Sequence, residues 1–262
     1  MSEVTKHAPG TFCWIELGTT DAGAAKKFYS ELFGWSANDI PAGPGMIYTM
    51  LQLDGKDVAA LYELTEQHRA QGVPSHWLPY VAVASADESA EKVTSLGGKV
   101  IMAPFDVMDV GRMSLIQDPA GAMFALWEAR KHIGATLVNQ PGTVCWNELA
   151  TRDSRLAGEF YTKLFGWGTK VQEMGPTTYT IFTDGERQAG GMLAMTEEWG
   201  NIPSHWMAYF GVEDCDASAN KARALGATIK VPPTDIPGVG RFAVLQDAQG
   251  AAFSIIKLHL FA

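Results

Sequence analysis

Cysteine is scarce in this chain of 262 residues: Cys13, Cys145 and Cys215 are all there is. An odd count with no C-x-x-C spacing fits neither a disulfide framework nor a thiolate metal site. Cys13 and Cys145 lie in apolar segments, where a thiol acts as a small buried hydrophobe. Clusters of Lys and Arg are missing too, and the net charge is −9. Neutralising phosphates requires clustered cations, so nucleic acid is not an expected partner. No uninterrupted apolar run approaches the ~18 residues of a membrane span, so a membrane is not expected either. The start, Met1-Ser2-Glu3-Val4-Thr5-Lys6-His7, lacks the apolar core of a secretory signal. That points to the cytoplasm, although export by an unconventional route leaves no sequence mark. The chain has no G-x-S-x-G, H-E-x-x-H or P-loop. Serine hydrolase, zincin and nucleoside-triphosphate chemistries therefore lack support. Gly238-Val239-Gly240-Arg241 has neither the third glycine nor the following helix of a dinucleotide fingerprint.

What is present is a repeat. Gly10-Thr11-Phe12-Cys13-Trp14-Ile15-Glu16-Leu17 returns as Gly142-Thr143-Val144-Cys145-Trp146-Asn147-Glu148-Leu149. Phe28-Tyr29 and Leu32-Phe33-Gly34-Trp35 return as Phe160-Tyr161 and Leu164-Phe165-Gly166-Trp167, all at one offset (146 − 14 = 132). Pro74-Ser75-His76-Trp77 and Gly111-Arg112 return as Pro203-Ser204-His205-Trp206 and Gly240-Arg241, at a second offset (205 − 76 = 129). A net deletion of three residues between the blocks accounts for the change. The chain is a tandem duplication with halves at 10–129 and 142–259, joined by a linker over 130–141. That linker lacks the Gly/Ser composition of a flexible tether. Its Leu137 and Val138 are expected to pack and to fix the halves against each other.

Each half reads as strand, helix and three strands, twice over. Residues 11–19 have the β-branched and aromatic content of a strand. Asp21 caps a helix over 22–33, with Ala25, Phe28, Tyr29 and Leu32 on one face and Gly34 ending it. Tyr48–Leu53 and Val58–Leu64 form a hairpin about Asp54-Gly55. A strand from His76 to Val83 and a helix near 86–96 follow. Strands at about 112–117 and 123–128 are then joined by the tight turn Asp118-Pro119-Ala120-Gly121.

The F-Y-x-x-L-F-G-W run after a capped helix, with the late D-P-x-G hairpin, resembles the vicinal oxygen chelate superfamily, which includes glyoxalase I, bleomycin-resistance proteins and extradiol dioxygenases. Lys131-His132-Ile133-Gly134-Ala135-Thr136-Leu137-Val138-Asn139 is similar to the linker of two-domain actinobacterial proteins described as glyoxalase-like proteins, hydroxylases or culture-filtrate antigens. The resemblance implies an α+β fold of tandem glyoxalase-like domains, each of two βαβββ modules forming a cup-shaped mixed sheet. Such a cup binds a ligand or a metal, and the fold does not decide which.

The resemblance places metal ligands at four positions per half. Here the first holds Trp14 and Trp146, the second Tyr80 and Tyr209, and the last Ala125 and Ser254. Only Glu63 could stand in for the remaining carboxylate, and its counterpart is Ala194. A divalent metal needs two or three converging His or carboxylate ligands, so no metal and no other cofactor is expected.

Strand alternation puts Phe12, Trp14 and Glu16 on one face, which the resemblance assigns to the cup. Glu16 and Glu148 would then be buried carboxylates with raised pKa, suited to acid–base work or ligand contact. The competing reading pairs them with Arg112 and Arg241 across the cup. His76 and His205 share the face of Tyr80 and Tyr209, and are either proton shuttles or strand-start residues bonded to backbone. Arg112 and Arg241 suit an anionic ligand group, or simply pair with Asp106 and Asp235. Trp14, Tyr48, Tyr80, Trp127, Trp146 and Tyr209 offer stacking surface. The halves diverge where Leu78-Pro79 becomes Met207-Ala208, Ala125 becomes Ser254 and Trp127 becomes Ile256. The second cup is expected to admit the bulkier molecule.

Two functions fit these residues. One is a metal-free protein that binds or sequesters a small planar molecule such as an antibiotic or metabolite. The other is a lyase, isomerase or hydroxylase/dioxygenase-type enzyme acting through Glu and His on a small carbonyl or aromatic substrate. Four modules in one chain supply what single-domain relatives assemble by pairing, so the expected state is a monomer or a homodimer.

Overall fold

The computed structural model describes residues 3–174 and 177–259. The first half runs β1 (Phe12–Thr19), α1 (Ala22–Phe33), β2 (Ser36–Gly43), β3 (Met46–Leu53), β4 (Lys56–Glu63), α2 (Glu66–Ala70), β5 (His76–Ala82), α3 (Ala86–Ser95), β6 (Lys99–Val107), β7 (Gly111–Gln117) and β8 (Met123–Ala129). The second half repeats it as β9 (Val144–Thr151), α4 (Ser154–Phe165), β10 (Gly168–Met174), β11 (Thr177–Asp184), β12 (Arg187–Ala194), β13 (His205–Gly211), α5 (Cys215–Ala224), β14 (Thr228–Ile236), β15 (Gly240–Gln246) and β16 (Ala252–Leu258). A single 3₁₀ turn, Glu197–Trp199, stands where the first half has α2. None of the described helices is long and apolar enough to cross a membrane.

Each half forms one mixed eight-stranded sheet, in the orders β2-β3-β4-β1-β5-β8-β7-β6 and β10-β11-β12-β9-β13-β16-β15-β14. β1 lies between β4, to which it is parallel, and β5, to which it is antiparallel. These are tandem α+β domains of two βαβββ modules each, and each sheet curls into a cup with its helices on the outer face.

Local chemistry sets α1 as expected. The Asp21 side chain accepts from the Ala24 N–H at 2.9 Å, and Gly34 adopts φ 77°, a left-handed conformation that ends the helix. Ala25, Phe28, Tyr29, Leu32 and Phe33 are buried. Each large apolar side chain so buried contributes roughly 1.5–3 kcal/mol.

The face that α1 buries packs partly against the other half. One core cluster joins Phe28, Tyr29 and Phe33 to Phe210, Ala219 and Phe253, and a second joins Val93 and Phe124 to Phe160 and Tyr161. The Trp35 indole donates to the Gly142 carbonyl at 2.7 Å, and Trp167 donates to that of Gly10 at 3.0 Å. The aromatic run that marks the family is thus also the device that docks the halves. Leu137 in the linker is buried in the first of these clusters.

One expectation about β1 fails at its first residue. A bulge between Phe12 and Trp14 breaks the alternation. Phe12 therefore turns away from the cup and packs on Trp167 and Trp206.

Candidate functional site

Residues opposite one another in a ladder share a sheet face, so the register identifies the cup lining. In the first half Glu16 faces Ala60 and Leu78, Trp14 faces Tyr80, and Tyr80 faces Ala125. The wall continues through Tyr48 and Tyr62 on one side, and through Leu115, Met113 and Trp127 on the other. In the second half Glu148 faces Gly191 and Met207, Trp146 faces Tyr209, and Tyr209 faces Ser254.

At the floor of each cup a carboxylate is held by phenols. Trp146 Nε1 donates to the Tyr179 hydroxyl at 2.9 Å, and that hydroxyl donates to Glu148 Oε2 at 2.8 Å. The Tyr209 hydroxyl donates to Glu148 Oε1, also at 2.8 Å. In the first half Trp14 Nε1 donates to Tyr48 at 3.0 Å, and Tyr48 donates to Glu16 Oε2 at 3.0 Å. Tyr80 stands beside Glu16 as well, but its hydroxyl lies 3.8 Å from the Met113 sulfur. Burial raises both carboxyls above the usual range, against the lowering pull of the tyrosine hydroxyls. Burial and the neighbouring carboxylate hold Tyr48, Tyr80, Tyr179 and Tyr209 protonated.

Neither arginine joins these carboxylates. Arg112 donates to Asp87 and Asp106, and Arg241 donates to Asp216 and Asp235. Alternation on β7 gives Met113 and Leu115 to the cup and turns Arg112 to the helix side, where Asp87 opens α3. The expected Glu16–Arg112 and Glu148–Arg241 pairings are replaced by tyrosines, and the two arginines lie outside the cups. Glu63 is likewise outside, exposed and paired with Arg69 at 3.5 Å.

His76 and His205 begin strands on the cup face. Their Nδ1 atoms lie 2.8 and 2.9 Å from the carbonyls of Pro74 and Pro203. A carbonyl only accepts, so Nδ1 carries the proton and Nε2 is left as an acceptor in the neutral ring. Burial lowers both imidazoles from their ordinary value, which favours that neutral form. Cys13 and Cys215 are buried and Cys145 is half-buried, and desolvation pushes the Cys145 thiol up to about 12, away from the reactive thiolate.

Four contributors were not singled out from the sequence. Tyr179 is the repeat of Tyr48 at an intermediate offset (179 − 48 = 131), visible once the deletion is divided between two loops. Tyr62 faces Tyr48 across the hairpin. Gly191 has no side chain because a Cβ there would overlap the Tyr179 hydroxyl. His132 packs its ring edge-on to Trp14, centroids 4.7 Å apart, and its carbonyl accepts from Trp127 Nε1 at 2.9 Å. No local pattern marks either of the last two.

The divalent metal that the resemblance implies would need two or three converging His or carboxylate ligands. Each floor offers one carboxylate ringed by phenols and indole, and among the described residues no three His, Cys, Asp or Glu converge. That donor set does not fit a divalent ion.

Comparison with known proteins agrees with the fold. The family model of the Glyoxalase/Bleomycin resistance protein/Dioxygenase superfamily matches residues 11–126 and 132–255. "Putative glyoxylase CFP32" of Mycobacterium tuberculosis is 44% identical over 98% of both chains. "Anthracycline biosynthesis protein DnrV" of Streptomyces peucetius is 36% identical over 98% of this chain and 96% of that one. Among solved structures, the Mn(II)-bound glyoxalase from Novosphingobium aromaticivorans superposes with a TM-score of 0.65 at 15% identity, covering 95% of this chain and 82% of that one. A mutant 4-hydroxymandelate synthase from Streptomyces coelicolor gives 0.63 at 12%, covering 97% and 94%. Duplicated sequence, paired cups and family match together place the chain in the glyoxalase/bleomycin resistance protein/dioxygenase superfamily.

Proposed function

We propose that the chain is a metal-free small-molecule-binding protein that takes a planar or amphipathic metabolite or antibiotic into an aromatic cup. The observation that carries this reading is the floor itself: Trp146, Tyr179 and Tyr209 surround Glu148, and among the described residues no three His, Cys, Asp or Glu come together there. Ligand pockets favour this combination, a mostly apolar wall with a few fixed polar groups. The relative named for anthracycline biosynthesis supports a role with small organic molecules. Candidate contacts are Trp14, Tyr48, Tyr80 and Trp127 in one cup, and Trp146, Tyr209 and Ser254 in the other.

The reading is tested by titrating a planar aromatic probe and following tryptophan fluorescence. Quenching is expected, and the double variant Trp14→Phe, Trp146→Phe should change it. Quenching unaltered in the double variant would show that the molecule binds elsewhere.

One observation favours a second reading. Glu16 and Glu148 are held above the usual carboxylate range on the same cup faces as the neutral His76 and His205, which suits acid–base catalysis on a small carbonyl or aromatic substrate. Loss of a substrate C–H proton to deuterated water, abolished in Glu148→Gln, is the result that would favour it.

A further inference from the structure

Among the described residues, the two cups differ in what covers them. Over the first, the linker is strapped to the sheet: the Ala135 N–H donates to the Cys13 carbonyl at 2.7 Å, and the Thr136 N–H donates to that of Asp57 at 2.8 Å. Gly134, at φ 105°, lets the strap press on β1, because a Cβ there would overlap the Cys13 carbonyl. His132 then lies against Trp14 and Trp127. Ala135 belongs to the cluster of Trp14, Met50, Leu78 and Tyr80, and Val138 packs on it. Trp146 has no neighbour like His132 among the described residues. Accordingly Cys13, Trp14, Glu16 and Leu78 are buried, while Cys145, Trp146, Glu148 and Met207 are all half-buried.

The second cup also has a definite hydrogen-bonding character. The protons of Tyr179 and Tyr209 both point at Glu148, and that of Trp146 points at Tyr179. An ionised carboxylate has about four acceptor sites, and the tyrosines fill two of them. Beside Tyr209 on the adjacent strand, Ser254 Oγ is buried without a hydrogen-bond partner, where the first half has Ala125. The floor therefore holds unused acceptor capacity on Glu148, with the Ser254 hydroxyl buried next to Tyr209.

We propose that the second cup is the ligand site, one per chain, and that its ligand is a planar aromatic molecule whose inner edge carries a phenol or enol hydroxyl that donates to Glu148. This rests on the reading that the cups bind small molecules. A hydroxyl can donate to Glu148, whereas an ether only accepts and cannot.

The test is isothermal titration of the full chain with 2-naphthol and with its methyl ether, followed by a crystal structure of the complex. We expect one site per chain, the naphthol over Trp146, and a preference of at least about tenfold for the hydroxyl compound. Ser254→Ala should weaken both probes, and Trp146→Phe should do so without loss of the folded state. Two sites per chain, or a molecule bound over Trp14, would overturn the choice of cup. Equal affinity for the two probes would overturn the hydroxyl class. Binding of neither probe would instead remove the small-molecule reading on which the inference stands.

Discussion

The phenol of Tyr29 on α1 donates to Asp247 Oδ2 at 2.9 Å, in the turn between β15 and β16 of the other half. Tyr161 on α4 repeats the contact on Asp118 at 3.0 Å, in the turn between β7 and β8. Each aspartate uses its other oxygen to accept two N–H groups of its own turn: Ala120 and Ala122 for Asp118, Gln249 and Ala251 for Asp247. The two strongest family signals, the aromatic run and the late turn, are therefore bonded to each other, each across to the opposite half.

Tyr29→Phe and Tyr161→Phe each leave a buried acceptor with one partner fewer and a tryptophan, Trp77 or Trp206, without its hydroxyl acceptor. We expect each to destabilise the chain by about 1–3 kcal/mol. The two sites share no partner, so the double variant should approach the sum. Denaturant unfolding measures this, and a cost near zero in both would remove the contact from the account of docking.

Glu148 supplies a pH signature. Its folded value lies above its ordinary 4.5, so the folded state holds the proton more tightly than the unfolded chain. The resulting stability is complete below 4.5 and is lost as pH rises through the raised folded value. Asp87, Asp106 and Asp216 are lowered by their arginines and work in the opposite sense, so the comparison is made against a variant. Relative to Glu148→Gln, wild type should lose stability as pH climbs from about 4.5 towards neutrality. Parallel curves would mean that the carboxyl is not perturbed.

Gly191 is where the second floor is made. A methyl there meets the Tyr179 hydroxyl and crowds Trp146 Nε1, whereas Ala60 carries that methyl in the first half. Gly191→Ala should cost about 1–3 kcal/mol through overpacking and weaken ligand binding in the second cup. Equilibrium unfolding with a binding titration reads both. Unchanged binding would show that the Tyr179–Glu148 contact is not part of the site.

Much of this architecture was legible in the sequence because the duplication shows each signal twice. Asp21, Gly34 and the α1 face needed only capping and period. Alternation along β1, which holds from Trp14 onward, put Trp14 and Glu16 on one face, and the family resemblance assigned that face to the cup. Arg112 illustrates the limit: its loop suggested either a ligand group or a pairing with Asp106, and the Asp106 pair is what forms, because alternation on β7 turns Arg112 to the helix side. The second partner, Asp87, comes from α3, which no count along the loop reveals. Glu63 fails similarly, one residue out of phase with the cup-facing Tyr62. His132 covers Trp14 only because a linker distant from β1 folds back on it.

The most direct measurement for the central claim is metal analysis of protein purified without chelator, combined with a titration of 2-naphthol before and after chelator treatment. The account predicts no stoichiometric metal in either half and the same affinity in both titrations, because the floor consists of Glu, Tyr and Trp. One Zn, Ni, Mn or Fe per half, with binding lost on chelation and restored by the metal, would contradict it.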